Sequence, residues 1–491
     1  MSKEIIDFVI PEEIIEIVVA LKKSGYEAYI VGGSVRDMLL QKHPKDWDIA
    51  TNALPEEIQR LFPDSVYENT FGTVGVKTRS NDPTLKVVEV TTFRTESEYS
   101  DSRHPDAVIF TQKIEEDLSR RDFTVNAMAL APDNSIIDPY GGQKDLGREI
   151  IRAVGDPTKR FQEDALRLIR AIRFASELGF SLEAQTLQSL KENADLLKNI
   201  TEERIRDEFK KIIMSDGDGP MIGIIRLEQT KLLQYIIPEL RIGIGVMQNK
   251  HHIYTVWEHN LRALDYTAHK NYSFDVRLAA LFHDIGKPHT KAGDGENATF
   301  YAHEIVGAKI TRKILERMHF SKQVIQYVTH LVRQHLFYYN VGEVTEAGVR
   351  RFIRRVGEDT IDDLLKIREA DRIGSGVPKA VPYKNRHLKF MIDKVRTDPV
   401  GPKMLKLNGS ELMDALNITP CPRIGKILAI LLEQVLDNTQ MNTKDRLIEE
   451  ARILNEKTDE ELGAMARKAR DTKEEYESGI EEKMKSKYYV K

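Results

Sequence analysis

The feature that most constrains this chain is a change of texture near residue 155. Before it, strand and helix patterns alternate in short pieces. Residues 11–24 repeat apolar positions at helical spacing and stop at Gly25, and EAYIVGG reads as a strand running into two glycines. SVRDMLLQ then reads as a helix, DWDIAT as a strand, PEEIQRLFP as a short helix, and GTVGVKT and LKVVEVTTFR as strands. TESEYSDSRHPDAVIF is polar and aperiodic and reads as a mobile loop. EEDLSRRDFTVNAMAL reads as the start of a helix, and SIIDPYGGQKDLGREIIRAV as strand, turn, strand. From Pro157 onward nearly everything has the 3.6-residue period, beginning with DPTKRFQEDALRLIRAIRFASELGF and TEERIRDEFKKIIMSD. A small sheet with helices followed by all-α regions is an α+β chain.

At 491 residues the chain is too long for one ordinary core, and two to four domains are expected. No apolar run is long enough to span a membrane, and acidic residues interrupt the apolar N-terminal pattern, against a signal peptide. A single cysteine, Cys421, excludes an intrachain disulfide framework and a Cys-rich zinc site, and fits a cytoplasmic location. The net charge of −4 says little about a polyanionic partner, because local distribution sets the field. Basic residues cluster at Arg120–Arg121, Lys159 to Arg173, Arg350 to Arg355 and Lys379 to Lys406. Each cluster taken singly is also what a solvated face looks like.

Chemistry concentrates in VGGSVRDMLLQKHPKDWDIAT, Val31 to Thr51. Gly32 and Gly33 let backbone N–H groups approach phosphate oxygens without an intervening Cβ. Arg36 offers a fixed cation to a triphosphate. Asp46 and Asp48, one residue apart at a strand, suit Mg²⁺, and Glu89 on a later strand supplies a third candidate carboxylate. Such carboxylates serve two-metal phosphoryl transfer. In RRDFTVNAMAL, Arg121 suits phosphate, while Asp122 and Asn126, four apart, suit a ribose hydroxyl. In EDALRLIRAIRF, Asp164, Arg167, Arg170 and Arg173 follow at spacings of three and are expected along one helix side. An Asp accepts from the amino group of cytosine or adenine and an Arg donates to their ring acceptors; guanine and uracil present a carbonyl instead.

GGSVRD…DWD, RRDFTVNAMA, DPYGGQKDL and EDALRLIRAIRF occur in the order found in class II tRNA nucleotidyltransferases and bacterial poly(A) polymerases, and residues 25–215 resemble that family. The resemblance implies a polymerase-β-like nucleotidyltransferase head followed by all-α neck, body and tail. It implies catalytic Asp46, Asp48 and Glu89, and base selection by Asp164 and Arg167, with Glu163 orienting Arg167. It implies CTP, ATP and tRNA as partners and addition of CCA to tRNA 3′ ends, or of A tracts to RNA. The head motifs belong to both products, and CC-only or A-only addition also fits them. The polar loop Thr95 to Pro105 is expected to act as a lever when specificity switches from C to A.

A further block, WEHNLRAL…LAALFHDIGKP…YAHEIVGAKI…VRQH…READR, resembles the HD phosphohydrolase superfamily. His259, His283, Asp284 and Asp371 match its core motif, and His303 and His335 match positions that bind a second metal in some members. Imidazole with carboxylate suits Mn, Ni, Fe, Co, Zn or Mg. The resemblance implies phosphatase or 2′,3′-cyclic phosphodiesterase activity on RNA ends; a structural tRNA platform is the alternative. A less favoured reading makes the chain an HD phosphohydrolase whose head serves only to bind RNA. The expected organisation is a head over 1–155, a helical neck and body over 156–245, an HD region over 246–377 and a helical, tRNA-binding tail over 378–491. Around Cys421, family members carry glycine in a similar stretch. There Arg423 and Lys426 at a helix start suit phosphate. The last forty residues read equally as a solvated helix or as partly disordered.

Overall fold

The computed structural model describes residues 9–67, 71–96, 108–249, 253–376, 383–396 and 405–490. The chain divides into two compact units: Met1–Leu336 with Asp363–Pro378, and Phe337–Asp362 with Lys379–Lys491.

The first unit opens with a seven-stranded sheet. Its strands are β1 (Ala28–Val31), β2 (Asp48–Thr51), β3 (Ser65–Tyr67), β4 (Thr73–Lys77), β5 (Val87–Thr92), β8 (Ala129–Leu130) and β9 (Ile136–Ile137), in the order β3-β4-β5-β2-β1-β8-β9. Every neighbouring pair is antiparallel except β2 and β5, which run parallel with Asp48 opposite Glu89. The apolar residues of β1 and β2 alternate with the pleat and pack with Phe93, Ile114 and Leu118. Trp47 is buried, which anchors the segment between its two flanking aspartates.

Three sequence expectations differ here. The polar stretch after β5 contains a small hairpin, β6 (Arg94–Glu96) with β7 (Val108–Phe110), where a loop is expected. The remainder of the expected lever, from residue 97, lies outside the described residues. The helix over EEDLSRRDFTVNAMAL stops at Ser119, and Thr124–Asn126 forms a separate 3₁₀ turn. Between Asp138 and Arg148 a helical segment, Gly142–Gly147, replaces the expected turn. The Asp138 carboxylate accepts from the N–H groups of Gly142 (2.7 Å) and Gln143 (3.0 Å), satisfying donors that a helix start leaves open.

The helical part of this unit runs through Pro157–Glu163, Leu166–Leu178, Ala184–Glu192, Glu202–Ile213 and Gly219–Gln229. The expected continuous helix over EDALRLIRAIRF is broken at Asp164, whose backbone is extended (φ −137°, ψ 104°). The Asp164 carboxylate accepts from the Leu166 N–H at 3.0 Å, a local bond that competes with helix continuation. Further on, Val256–His269, Phe274–Phe282, His303–Arg317, Lys322–Gln334 and Ile361–Gly374 are helical. Gly286 permits a close crossing there: a Cβ on it would lie 2.2 Å from the His303 carbonyl oxygen.

The second unit contains the helices Glu346–Val356, Tyr383–Arg396, Gly409–Leu416, Pro422–Asp437, Lys444–Asn455 and Asp459–Tyr488. Leu407, Leu412, Ile427, Leu431, Leu447 and Leu462 form its buried core. The last segment is thus helical through Tyr488. At its entry the Arg423 guanidinium pairs with Asp459 (2.6 Å) and donates to Asn455 (2.9 Å), so Arg423 is engaged within the protein.

Candidate active sites

Gly32 follows β1 with φ +77°, a conformation glycine adopts without strain, and caps the helix Gly33–Leu39. A Cβ there would sit 2.8 Å from the Arg121 guanidinium and 3.5 Å from the Asp48 carboxylate. The missing side chain therefore leaves room for Arg121 and Asp48 to meet above the strand end. Asp46 lies in the bend before β2, not on the strand as expected, yet it lines the same cleft as Asp48. Glu89 is exposed on β5, directly opposite Asp48, so the two side chains project on one face of the sheet. Burial raises the Asp48 pKa, Arg121 opposes the rise and Asp46 adds to it. Carboxylates that repel one another in this way fit a divalent cation, whose charge would relieve them.

The cleft has a volume of about 630 Å³, and its lining joins Gly32, Gly33, Asp46 and Asp48 to Asn126, Asp164 and the arginines 36, 120, 121, 167, 170, 173 and 204. These cations are held in fixed poses. Asp122 accepts from Arg170 through both Nε (2.9 Å) and Nη2 (2.5 Å), from Asn126 (3.1 Å) and from the Phe123 N–H (2.8 Å). Burial opposes its ionisation, but Arg170 and the Asn126 hydrogen bond outweigh it and hold Asp122 far below the usual carboxylate range. Arg36 in turn donates to Asn126 Oδ1 at 2.7 Å. Asp122 and Asn126, expected near a ribose, thus link Arg170 to Arg36. Arg167 donates through Nη1 to Glu163 (2.6 Å) and the Arg160 carbonyl (3.1 Å), and through Nη2 to the Arg120 carbonyl (2.8 Å). Of its five N–H donors, this leaves capacity for a further acceptor. Asp164 pairs with Arg204 at 3.1 Å.

Residues not anticipated from sequence complete this site. Glu208, 4% exposed, pairs with Arg173 at 2.8 Å and lies 3.9 Å from Arg170. Asp117, 1% exposed, pairs with Arg120 (2.8 Å) and Arg121 (3.5 Å). Phe174 packs beneath Arg173, Arg36 and Arg170, with guanidinium carbons 3.9, 5.2 and 5.3 Å from its ring centre. Arg204 and Glu208 stand four apart on the helix Glu202–Ile213, the only sequence signal that could have paired them with the cleft.

The second cluster is buried and assembled from five helices or helix ends. His259 Nε2 and His283 Nε2 face each other at 2.9 Å. Asp284 Oδ2 lies 3.1 Å from His259 and 3.4 Å from His283, and Asp371 Oδ1 lies 3.3 and 3.7 Å from the same two nitrogens. The other oxygen of Asp284 lies 3.3 Å from His303 Nε2 and 3.7 Å from His335 Nε2. Asp284 thus belongs to two ligand sets, His259–His283–Asp284–Asp371 and Asp284–His303–His335. His283, His303 and His335 each turn Nδ1 to a backbone carbonyl at 2.7 Å, of Ala280, Phe300 and Val332 respectively. An Nδ1–H donor there leaves Nε2 with a lone pair pointing into the cluster, the arrangement that metal-ligating histidines need. Burial lowers the basicity of His283, yet Asp284 and Asp371 outweigh it and push its pKa up to about 10, so a cation bound at Nε2 would have to displace a proton there. Burial and neighbouring His283 bring His335 down to about 3, neutral and available. The donor set fits divalent cations. Lys287, absent from the expected ligands, meets Asp284 Oδ2 at 2.5 Å and Gln248 at 2.6 Å.

The chain is similar to known proteins. The profile described as Poly A polymerase head domain matches residues 28–152, the probable RNA and SrmB-binding site of polymerase A matches 179–242, and the HD domain matches 256–375. A CCA-adding enzyme of Lactobacillus helveticus is 52% identical over 201 residues, 41% of this chain and about half (48%) of that protein. The crystal structure of the Bacillus stearothermophilus CCA-adding enzyme in complex with CTP aligns with TM-score 0.55 and 28% identity, covering 91% of this chain and 97% of that one. The CCA-adding enzyme of Lactiplantibacillus plantarum is 33% identical over 444 residues, covering 89% of this chain and 95% of the relative. With that identity sustained over nearly both full lengths, the chain belongs to the CCA-adding enzyme family.

Proposed function

We propose that this protein adds C, C and A to the 3′ end of tRNA, drawing on CTP and ATP without a nucleic-acid template. The observation that carries the reading is Asp46, Asp48 and Arg121 in one cleft with Asp164 and Arg167, with Glu89 in register opposite Asp48 on the neighbouring strand. In this reading residues 1–155 are the catalytic head, 156–245 the base-selecting neck, 246–377 the HD region and 378–491 the tail.

Mg²⁺ held by Asp46 and Asp48, with Glu89 adjoining, would acidify the tRNA 3′-hydroxyl and neutralise charge on the triphosphate. The remaining work falls to the protein. Gly32 and Gly33 admit the phosphates to the backbone, and Arg36 and Arg121 bind them. Asp122 and Asn126 keep Arg170 and Arg36 in place, so these cations need little reorganisation when charge develops. Asp164 accepts from the amino group of cytosine or adenine, while Arg167, braced by Glu163, donates to the ring acceptors. Arg170 and Arg173 support the base or the phosphates. A tRNA substrate implies a cytoplasmic location in this reading.

The decisive assay supplies tRNA lacking its 3′ CCA with CTP, ATP or both. Three added nucleotides with both triphosphates is the expected result. Unlimited A addition to unrelated RNA would identify a poly(A) polymerase, and arrest after CC, or addition of A alone, a partial enzyme. A second activity is favoured by the shared Asp284: we infer a divalent-metal phosphohydrolase in the HD region, acting as a phosphatase or 2′,3′-cyclic phosphodiesterase on RNA ends. Hydrolysis of a 2′,3′-cyclic nucleotide that survives His283→Ala would defeat this ligand assignment.

A further inference from the structure

The Arg350 to Arg355 cluster, with no role in either site, sits in the second unit on the helix Glu346–Val356. Gly348, Arg351, Phe352 and Arg355 recur at helical spacing on one face. That face borders a cavity of about 430 Å³, closed on its other side by Phe337, Tyr338 and Tyr339. Two rings build its floor: Phe337 is buried, and its ring centre lies 4.8 Å from that of Phe352. Tyr338 is 71% exposed, although its hydroxyl is held by Glu343. Arg355 lies over Phe352 at 5.6 Å. Arg351 and Arg355 are exposed, and among the described residues no carboxylate pairs with either. The neighbouring Arg350 and Arg396, by contrast, pair with Glu346 (3.3 Å) and Glu358 (2.6 Å). Cations without a carboxylate partner among the described residues, beside an exposed residue that carries a ring, suit a ligand with both negative charge and a planar face.

We propose that this cavity stacks an unpaired nucleotide of the bound RNA, its base against Tyr338 and Phe352 and its flanking phosphates on Arg351 and Arg355. An acidic peptide would satisfy the arginines but has no use for the exposed ring. A nucleotide uses both, and base–aromatic stacking is tolerant of sequence. The proposal rests on the tRNA reading above, and adds to it a contact in the second unit.

The test uses the full chain and a tRNA transcript lacking its 3′ CCA, with binding measured across a salt series and CTP incorporation measured in parallel. In Tyr338→Ala the Kd should rise about tenfold with an unchanged salt slope, and Tyr338→Phe should bind as wild type. In the Arg351→Ala/Arg355→Ala double variant the Kd should also rise about tenfold, with the slope of log K against log salt reduced by roughly 1.4. All variants should keep the wild-type KM for CTP, which a folding defect would not allow. Wild-type affinity in Tyr338→Ala or in the double variant overturns the site. So does polyglutamate that competes with tRNA and itself loses affinity in Tyr338→Ala, since that marks a protein partner. If the wild-type chain binds tRNA but incorporates no nucleotide, the proposed function fails while the binding comparison still decides the cavity.

Discussion

The head cleft and the HD cluster both gather carboxylates for divalent cations, but they solve the charge problem in opposite ways. In the head, Asp46 and Glu89 are exposed and Asp48 is half-buried, and arginines share the cleft that Asp46 and Asp48 line. Such a site accepts a large, highly charged ligand from solvent and shields it with cations already in place. In the HD cluster, His259, His283 and Asp284 are almost wholly buried, and the attraction is between carboxylates and imidazoles packed against each other. A buried cluster of this kind suits a resident ion, because removing the ion leaves groups that must titrate to stay compatible with burial. The difference separates a site built for a substrate's charge from one built for a cofactor's.

The sharpest way to break the comparison is Asp48→Asn. It should lower nucleotide addition on the order of 10³-fold or more while cyclic-nucleotide hydrolysis persists, measured on one preparation. His283→Ala should do the reverse, weakening metal retention about 100-fold or more by metal analysis after dialysis, with CTP incorporation unchanged. A smaller effect is expected for Glu208→Gln, which frees Arg173 and loosens Arg170. About a tenfold loss in kcat/KM for CTP, with HD hydrolysis intact, is the expected steady-state result. The least change is that of Asp122→Asn, about 1 kcal/mol of stability by denaturant unfolding. Because the Asp122 pKa is depressed in the folded state, its contribution is complete above the ordinary carboxylate range and is lost as pH falls toward its lowered value. The gap between wild type and variant should therefore be constant near neutrality and narrow under acid.

Much of the head site was legible because its groups are close in sequence and their spacing is chemical. GG, the Arg36 cation and the DWD carboxylates lie within about twenty residues, and Asp48 needed only Glu89 from a distant strand. The candidate HD ligands were legible for another reason: HDIGKP and the histidines and aspartate around it match a known motif, and imidazole with carboxylate is a donor set that suits a divalent cation. What stayed hidden are partners set by tertiary packing. Asp122 meets Arg170 across 48 positions, and no periodicity links them. Glu208 and Asp117 looked like ordinary charges on amphipathic helices, and only the fold shows them buried against arginines. Helix ends failed for local reasons: the side chains of Asp138 and Asp164 bind nearby backbone N–H groups, which the hydrophobic pattern does not record. The expected loop after β5 contains a hairpin because Arg94–Glu96 finds a strand partner twelve or more residues on.

The lone parallel pairing in the seven-stranded sheet has a temporal consequence. β2 and β5 adjoin only after β3 and β4 have been threaded between them in sequence, whereas the antiparallel pairs β3–β4 and β4–β5 close over short loops. Contacts between distant segments form late, since chain entropy must be lost before they return any energy. Asp48 and Glu89 are therefore brought opposite each other only by a non-local pairing, and a cation site built on them would depend on closure of the sheet rather than on any one local hairpin.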